Sequence, residues 1–188
     1  MNTALLVLRL VPGLLLIGHG LQKLVPPRFS PPLLHAAGLR ATAGGFEQIG
    51  IRPGLAAAIL AGLSEVVGGF LLGAGLLTPV GTILVAAVMT TAILTAHARN
   101  GIWSHEGGFE FPLTLLALAF VISALGAGSY SINAWAHVSN WAGIHSSMSR
   151  VALAAIALAI GVGAGLATVL IGALARSATE QPSVPATS

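Results

Sequence analysis

The chain has 188 residues, 55% of them hydrophobic and only 7% charged, with a formal charge of +3 and a mean hydropathy of +0.92. Soluble domains carry roughly 25% charged residues, so these figures exclude a water-soluble domain and point to an integral membrane protein. The pI of about 10.7 rests on very few groups and gives no case for a nucleic-acid partner, and the lack of cysteine excludes disulfides, thiol nucleophiles and thiolate metal sites.

A bilayer span needs about 20 mostly apolar residues. The first such run covers residues 3–24. It has no basic start and no small-residue cleavage signature, and it carries Arg9, His19 and Lys23. It reads as a retained helix and not as a removed signal peptide. Residues 25–53 form a long connection. Its "PPRFSPP" stretch cannot be regular helix, because proline lacks an amide donor and clashes with the preceding turn. Its "ATAGGFEQIG" stretch suits a short interfacial helix.

The second span covers 54–77 and the third 79–98. The fourth starts at Pro112, a good first-turn residue, and runs to about residue 126. Residues 136–150, with Trp135 and Tyr130 just before them and Trp141, His137 and His145 within, suit the membrane surface, where Trp and Tyr concentrate. A fifth span covers 151–176, and the polar tail 177–188 suits disorder. The expected fold is therefore all-α: a polytopic helical bundle with a core over 1–135 and an additional C-terminal helix. Alternating apolar and polar residues, the mark of a membrane barrel, do not occur, and no internal repeat is evident. Arg28, Arg40 and Arg52 in the first connection and Arg99 in the 99–111 loop outnumber Arg150 on the other side. The positive-inside rule then puts both long loops in the cytoplasm.

The polar residues within these runs are the candidate site. Glu65 lies twelve residues after Pro53, about 18 Å along a helix and near mid-membrane. An acid there costs about 2.5–3.5 kcal/mol on insertion scales, so it needs a cation, a hydrogen-bonded network or a proton. Gly62 and Gly69 share its face, and Gly73 extends it. On the first helix, at 100° per residue, Lys23 lies about 40° and His19 about 80° from Arg9. Gly13 and Gly20 fall close to this basic stripe. Two glycine faces of opposite charge are expected to pack together, with Glu65 compensated by Arg9, or by Lys23 or His19 if tilt shifts the register. Thr90 precedes His97 by seven residues and shares its face. His105, Glu106 and Glu110 follow, with Glu110 placed to cap the fourth helix. No H-x-x-H or H-E-x-x-H spacing occurs, so no metal site is expected. Each of these residues has a structural reading, through pairing, snorkelling or capping, beside its reading as a ligand or proton site. The catalytic residues, if any, are not identified.

"RLVPGLLLIGHGLQKL", "AGLSEVVGGFLLGAGLLTP", "TAHARNGIWSHEGGFEFPLTLLALA" and "GAGSYSIN" together resemble the DoxX family of small membrane proteins, over about residues 5–135. The resemblance implies a compact four-helix membrane bundle. It also implies a redox association, since the family takes its name from the membrane subunit of an archaeal thiosulfate:quinone oxidoreductase. Arg9 matches the arginine of the first helix. His19, Gly20 and Lys23 match an HG-x-x-K element, and Glu65 and Gly69 match E-x-x-x-G. His97 matches the histidine ending the third helix, and Gly107, Gly108 and Glu110 match GG-x-E. Ala127 and Asn133 depart from the family's Gly-Pro-Gly and aspartate.

Two functions follow as expectations. One is a redox-associated subunit in the cell membrane, binding a quinone-like lipophilic molecule or docking a redox partner protein. It would carry no intrinsic cofactor, so electrons would need an external carrier. The other is a non-catalytic scaffold or small transport protein whose buried charges hold helices together. A transporter working alone is the weaker reading, since no inverted repeat is present.

Overall fold

A computed structural model describes residues 2–137 and 148–179. Among these there are helices and no strands. α1 spans Asn2–Leu24, α2 Gly38–Gln48, α3 Gly54–Ala74, α4 Thr78–Ala92, α5 Glu110–Leu125, α6 Ile132–Trp135 and α7 Arg150–Thr179. α4 continues through a π-turn over Ile93–His97 and a 3₁₀ turn over Ala98–Asn100. α1, α3, α4 with its extension, and α7 are long and apolar enough to cross a membrane, and α5 is a shorter apolar helix. At 16 residues, α5 reaches about 24 Å, less than the hydrocarbon thickness of about 30 Å. It begins two residues earlier than Pro112, because the amides of Phe109 and Glu110 close onto Gly101 O and Ile102 O and start the helix there. Trp141, His145 and the tail beyond Thr179 lie outside the described residues.

The bundle is built on glycine. A Cβ on Gly13 would stand 2.8 Å from Gly69 O, and one on Gly20 would stand 2.6 Å from Gly62 O. α1 and α3 therefore meet backbone to backbone, as the glycine faces required. A second seam joins α4 to α7. A Cβ on Gly161 would meet Ile83 O at 2.6 Å, and one on Gly165 would meet Ala87 O at 2.7 Å. α3 and α4 touch at Gly68 and Gly81 and are joined by a short turn. Gly75 ends α3 in the left-handed conformation, and Leu76 N–H closes onto Leu71 O at 2.9 Å. That geometry satisfies two orphan carbonyls and reverses the chain. Between the seams, Leu16, Leu72, Val85, Met89, Leu115, Ala119 and Ile122 form the apolar core. The Thr82 hydroxyl donates to Ala119 O at 2.9 Å and ties α4 to α5.

Residues from both long loops converge at one end of the bundle, where Phe46 and Ile49 share a cavity with His97 and Phe111. The end of α7 reaches the same place, with the Arg176 guanidinium where a Gly50 side chain would stand. Single cysteines at Ser30 and Ser104 are therefore expected to react alike with an impermeant thiol reagent in sealed vesicles. Opposite labelling would mean that an odd number of spans separates them.

Candidate functional site

The α1–α3 seam fixes the register of the charged residues. The helices run antiparallel, with Gly13 against Gly69 and Gly73, and Gly20 against Gly62. Moving down α1 from Gly13 toward Gly20 means moving up α3 toward its start. Glu65 must then face residues near Gly20, and Arg9 must face the end of α3.

The contacts follow this register. Lys23 Nζ lies 2.5 Å from Glu65 Oε2, and it also donates to His19 O at 3.2 Å. Glu65 is only 4% exposed, and its charge is compensated across the helix pair by Lys23. Arg9 is not its partner. Arg9 sits at the opposite end of the bundle, 1% exposed, donating through Nη2 to Tyr130 O at 2.5 Å. Its guanidinium fills the space a side chain on Gly75 would need, while Nε and Nη1 have no hydrogen-bond partner among the described residues. The common stripe of Arg9, His19 and Lys23 is real as a helix face, but it spans most of the membrane. Its two ends serve different places.

His19, Lys23, Glu65 and His97 line one cavity of about 510 Å³. That volume is within the range of small-molecule sites, about 300–1,000 Å³. The His19 ring packs on Phe111 with centroids 5.4 Å apart. His97 is placed by the π-turn, and its Nδ1 lies 2.7 Å from Gly107 O. A carbonyl only accepts, so Nδ1–H is the donor in this contact and Nε2 is the ring nitrogen left over. Asn100 donates to the same carbonyl at 3.2 Å.

Glu110 does not line the cavity. Its Oε2 accepts the Ser104 amide at 3.0 Å, which closes the 104–110 loop ahead of α5. Gly108 belongs to that closure too, since a Cβ there would stand 2.5 Å from Gly101 O. Nor does Thr90 accompany His97. It packs on Gly165 of α7, whereas Thr91 and Thr95 reach the cavity. The π-turn has more residues per turn than an α-helix, so it breaks the phase that linked Thr90 to His97.

Sequence reasoning missed the contributions of α2 and α7. Phe46 and Ile49 from the α2 end and Thr168 from α7 complete the wall. The only signal for them was that the α2 stretch could be a short interfacial helix. Among the described residues, no group of three or more His, Asp or Glu is placed to hold a metal.

Chemically, the cavity combines an apolar wall with a few polar groups. An ammonium has three N–H donors. Lys23 directs one to Glu65 and one to His19 O, which leaves a third for another acceptor. Of the two partners Glu65 is buried and Lys23 is half-buried.

These features define an integral membrane protein: a helical bundle with a buried acid–base pair at the wall of a membrane-embedded cavity. A family model described as DoxX matches residues 4–98, which is half of the chain and covers α1 to α4. The chain belongs to the DoxX family. No curated protein and no solved structure matches it.

Proposed function

We propose that the protein is a redox-associated subunit of the cell membrane that binds a quinone-like lipophilic molecule at the Lys23–Glu65 end of the cavity. The observation that carries this reading is the pairing of an apolar, ligand-sized cavity with the remaining Lys23 donor. A quinone has ring carbonyls that accept hydrogen bonds and an apolar body that suits such walls. Lys23 donates to one carbonyl, and Glu65 and His97 supply the groups through which a proton reaches or leaves the ring oxygen. The electrons come from a separate redox partner protein.

The test is binding. The full chain is purified gently from its native membrane, and its lipid extract is analysed by mass spectrometry for quinones. A quinone retained by the parent protein is expected to be lost or bound about tenfold more weakly in Glu65→Gln and Lys23→Met, both of which keep side-chain shape. If no quinone is retained, and Glu65→Gln and Lys23→Met each destabilise the protein, the pair is a helix clamp and the scaffold reading takes its place.

A further inference from the structure

The cavity has a closed end and an open one. At the closed end lie Glu65, Met89 and Leu115, all buried. At the other end, residues that line the cavity are also exposed on the outside of the bundle. Leu60 is 65% exposed, and Ala96 and Thr168 are exposed as well. A residue that both lines a cavity and faces outward marks an opening, and by the same test Ile49 and Phe111, 36% and 39% exposed, mark a second opening at the loop end.

The position of the mouth decides what can use it. Leu60 lies six residues into α3, about 9 Å along the helix axis. Thr168 lies eight residues before Arg176, about 12 Å from that charged end of α7. Both depths fall on apolar helix, within hydrocarbon and away from either loop. The opening at Leu60 and Thr168 therefore faces lipid, whereas the one at Ile49 and Phe111 lies beside the loops.

The helices explain why a gap exists there. α3 and α4 are pinned together at Gly68 and Gly81, on the side of their short connecting turn. On the other side of that pin, Ala57 and Ala61 of α3 and Ala92 and Ala96 of α4 all line the cavity. The space between the two helices is the passage.

The hydroxyls along it are already bonded. Thr91 donates to Ala87 O, Thr95 to Thr91 O and Thr168 to Ala164 O. Each threonine is thus satisfied by its own helix. The passage is lined mainly by alanine and threonine from the mouth inward, and its charged groups are gathered at the far end.

We propose that the cavity takes a single-headed amphiphile with a long hydrocarbon tail, which enters sideways from the bilayer between α3 and α4. The head goes in first, to Lys23 and Glu65, and the tail trails out past Leu60 and Thr168 into lipid. This rests on reading the cavity as the site of a lipophilic ligand, and it adds the tail and the route.

The experiment uses the full chain in lipid nanodiscs with three probes: a tail-free dimethoxybenzoquinone, its decyl-tailed analogue, and a decyl-tailed phenol. Each tailed probe also carries a diazirine at the tail's end for photocrosslinking. The crosslinks are expected on α3 and α7 around Leu60 and Thr168. Thr168→Trp, an exposed position, is expected to weaken both tailed probes about tenfold and to leave the tail-free quinone unchanged. Leu166→Trp, exposed on the same helix but outside the cavity lining, serves as the control. If the quinones bind but Thr168→Trp matches Leu166→Trp, or the tail crosslinks to the 98–110 loop, the lateral route is wrong and the quinone reading stands. If only the tailed phenol binds, with the expected Thr168 dependence, the route stands and the quinone reading fails. If no probe binds, both are overturned.

Discussion

Replacing either Lys23 or Glu65 with alanine is expected to destabilise the protein by about 3–5 kcal/mol, because each change leaves the other charge buried and uncompensated. The effect is larger for Lys23→Ala. It strands a carboxylate that is only 4% exposed, whereas Lys23 has a long stem that can carry its ammonium toward water. The double variant is expected to lose less than the sum, since removing both partners removes the stranded charge as well. Arg9 provides the contrast. It faces the end of α3, ten residues along from Glu65, or about 15 Å. Arg9→Ala and Glu65→Ala are therefore expected to add within about 0.5 kcal/mol. Thermal unfolding in a single detergent, measured for the three single and two double variants, checks both statements. Additivity between Lys23 and Glu65, or strong coupling between Arg9 and Glu65, would overturn the assigned register.

The second large effect belongs to the α1–α3 seam. Gly20→Leu and Gly69→Leu are each expected to prevent stable packing of the two helices. The first methyl on Gly20 already collides with Gly62 O at 2.6 Å, and that on Gly69 collides with Gly13 O at 2.7 Å. Backbone oxygen cannot rotate aside as a side chain would. Overpacking typically costs about 1–3 kcal/mol, and these sites exceed the usual case because the obstacle is main chain on both sides. Gly163→Leu on α7, where a Cβ meets nothing within 4 Å, is expected to be near neutral. Yield of monodisperse protein and the unfolding midpoint report the difference. Equal behaviour of the Gly20 and Gly163 variants would show that the close contact does not hold the pair.

The sequence carried the helices and the α1–α3 faces well, because both follow from local periodicity. Apolar runs set the spans, and the spacing of Gly13, Gly20, Gly62 and Gly69 set the seam. It could not choose between Arg9 and Lys23 as the partner of Glu65. That choice depends on how far one helix slides along the other, and helical phase says nothing about sliding. His97 shows a different limit. Its distance from Thr90 assumed an unbroken α-helix, and a single π-turn cancelled the inference. The α4–α7 seam was equally hidden, although Gly161 and Gly165 stand four residues apart. α7 is rich in small residues, so its packing face does not stand out. The cavity itself arises from α2 and α7 closing around a gap between α3 and α4, and no one-dimensional pattern describes a gap between helices distant in sequence.

The α1–α3 seam has a mechanical consequence. Where two helices meet largely through glycine and backbone, few side chains, here Leu16, Leu24 and Val66, are left to change rotamer and take up a displacement. The pair behaves as one stiff plate, with Lys23 and Glu65 fixed on it. α4 and α5 meet the cavity instead through Met89, Phe111 and Leu115, which can repack, and α4 contains the π-turn that loosens its own ladder. Any breathing of the bundle that admits a guest is thus borne by α4 and α5, while the charged pair stays still as the reference edge.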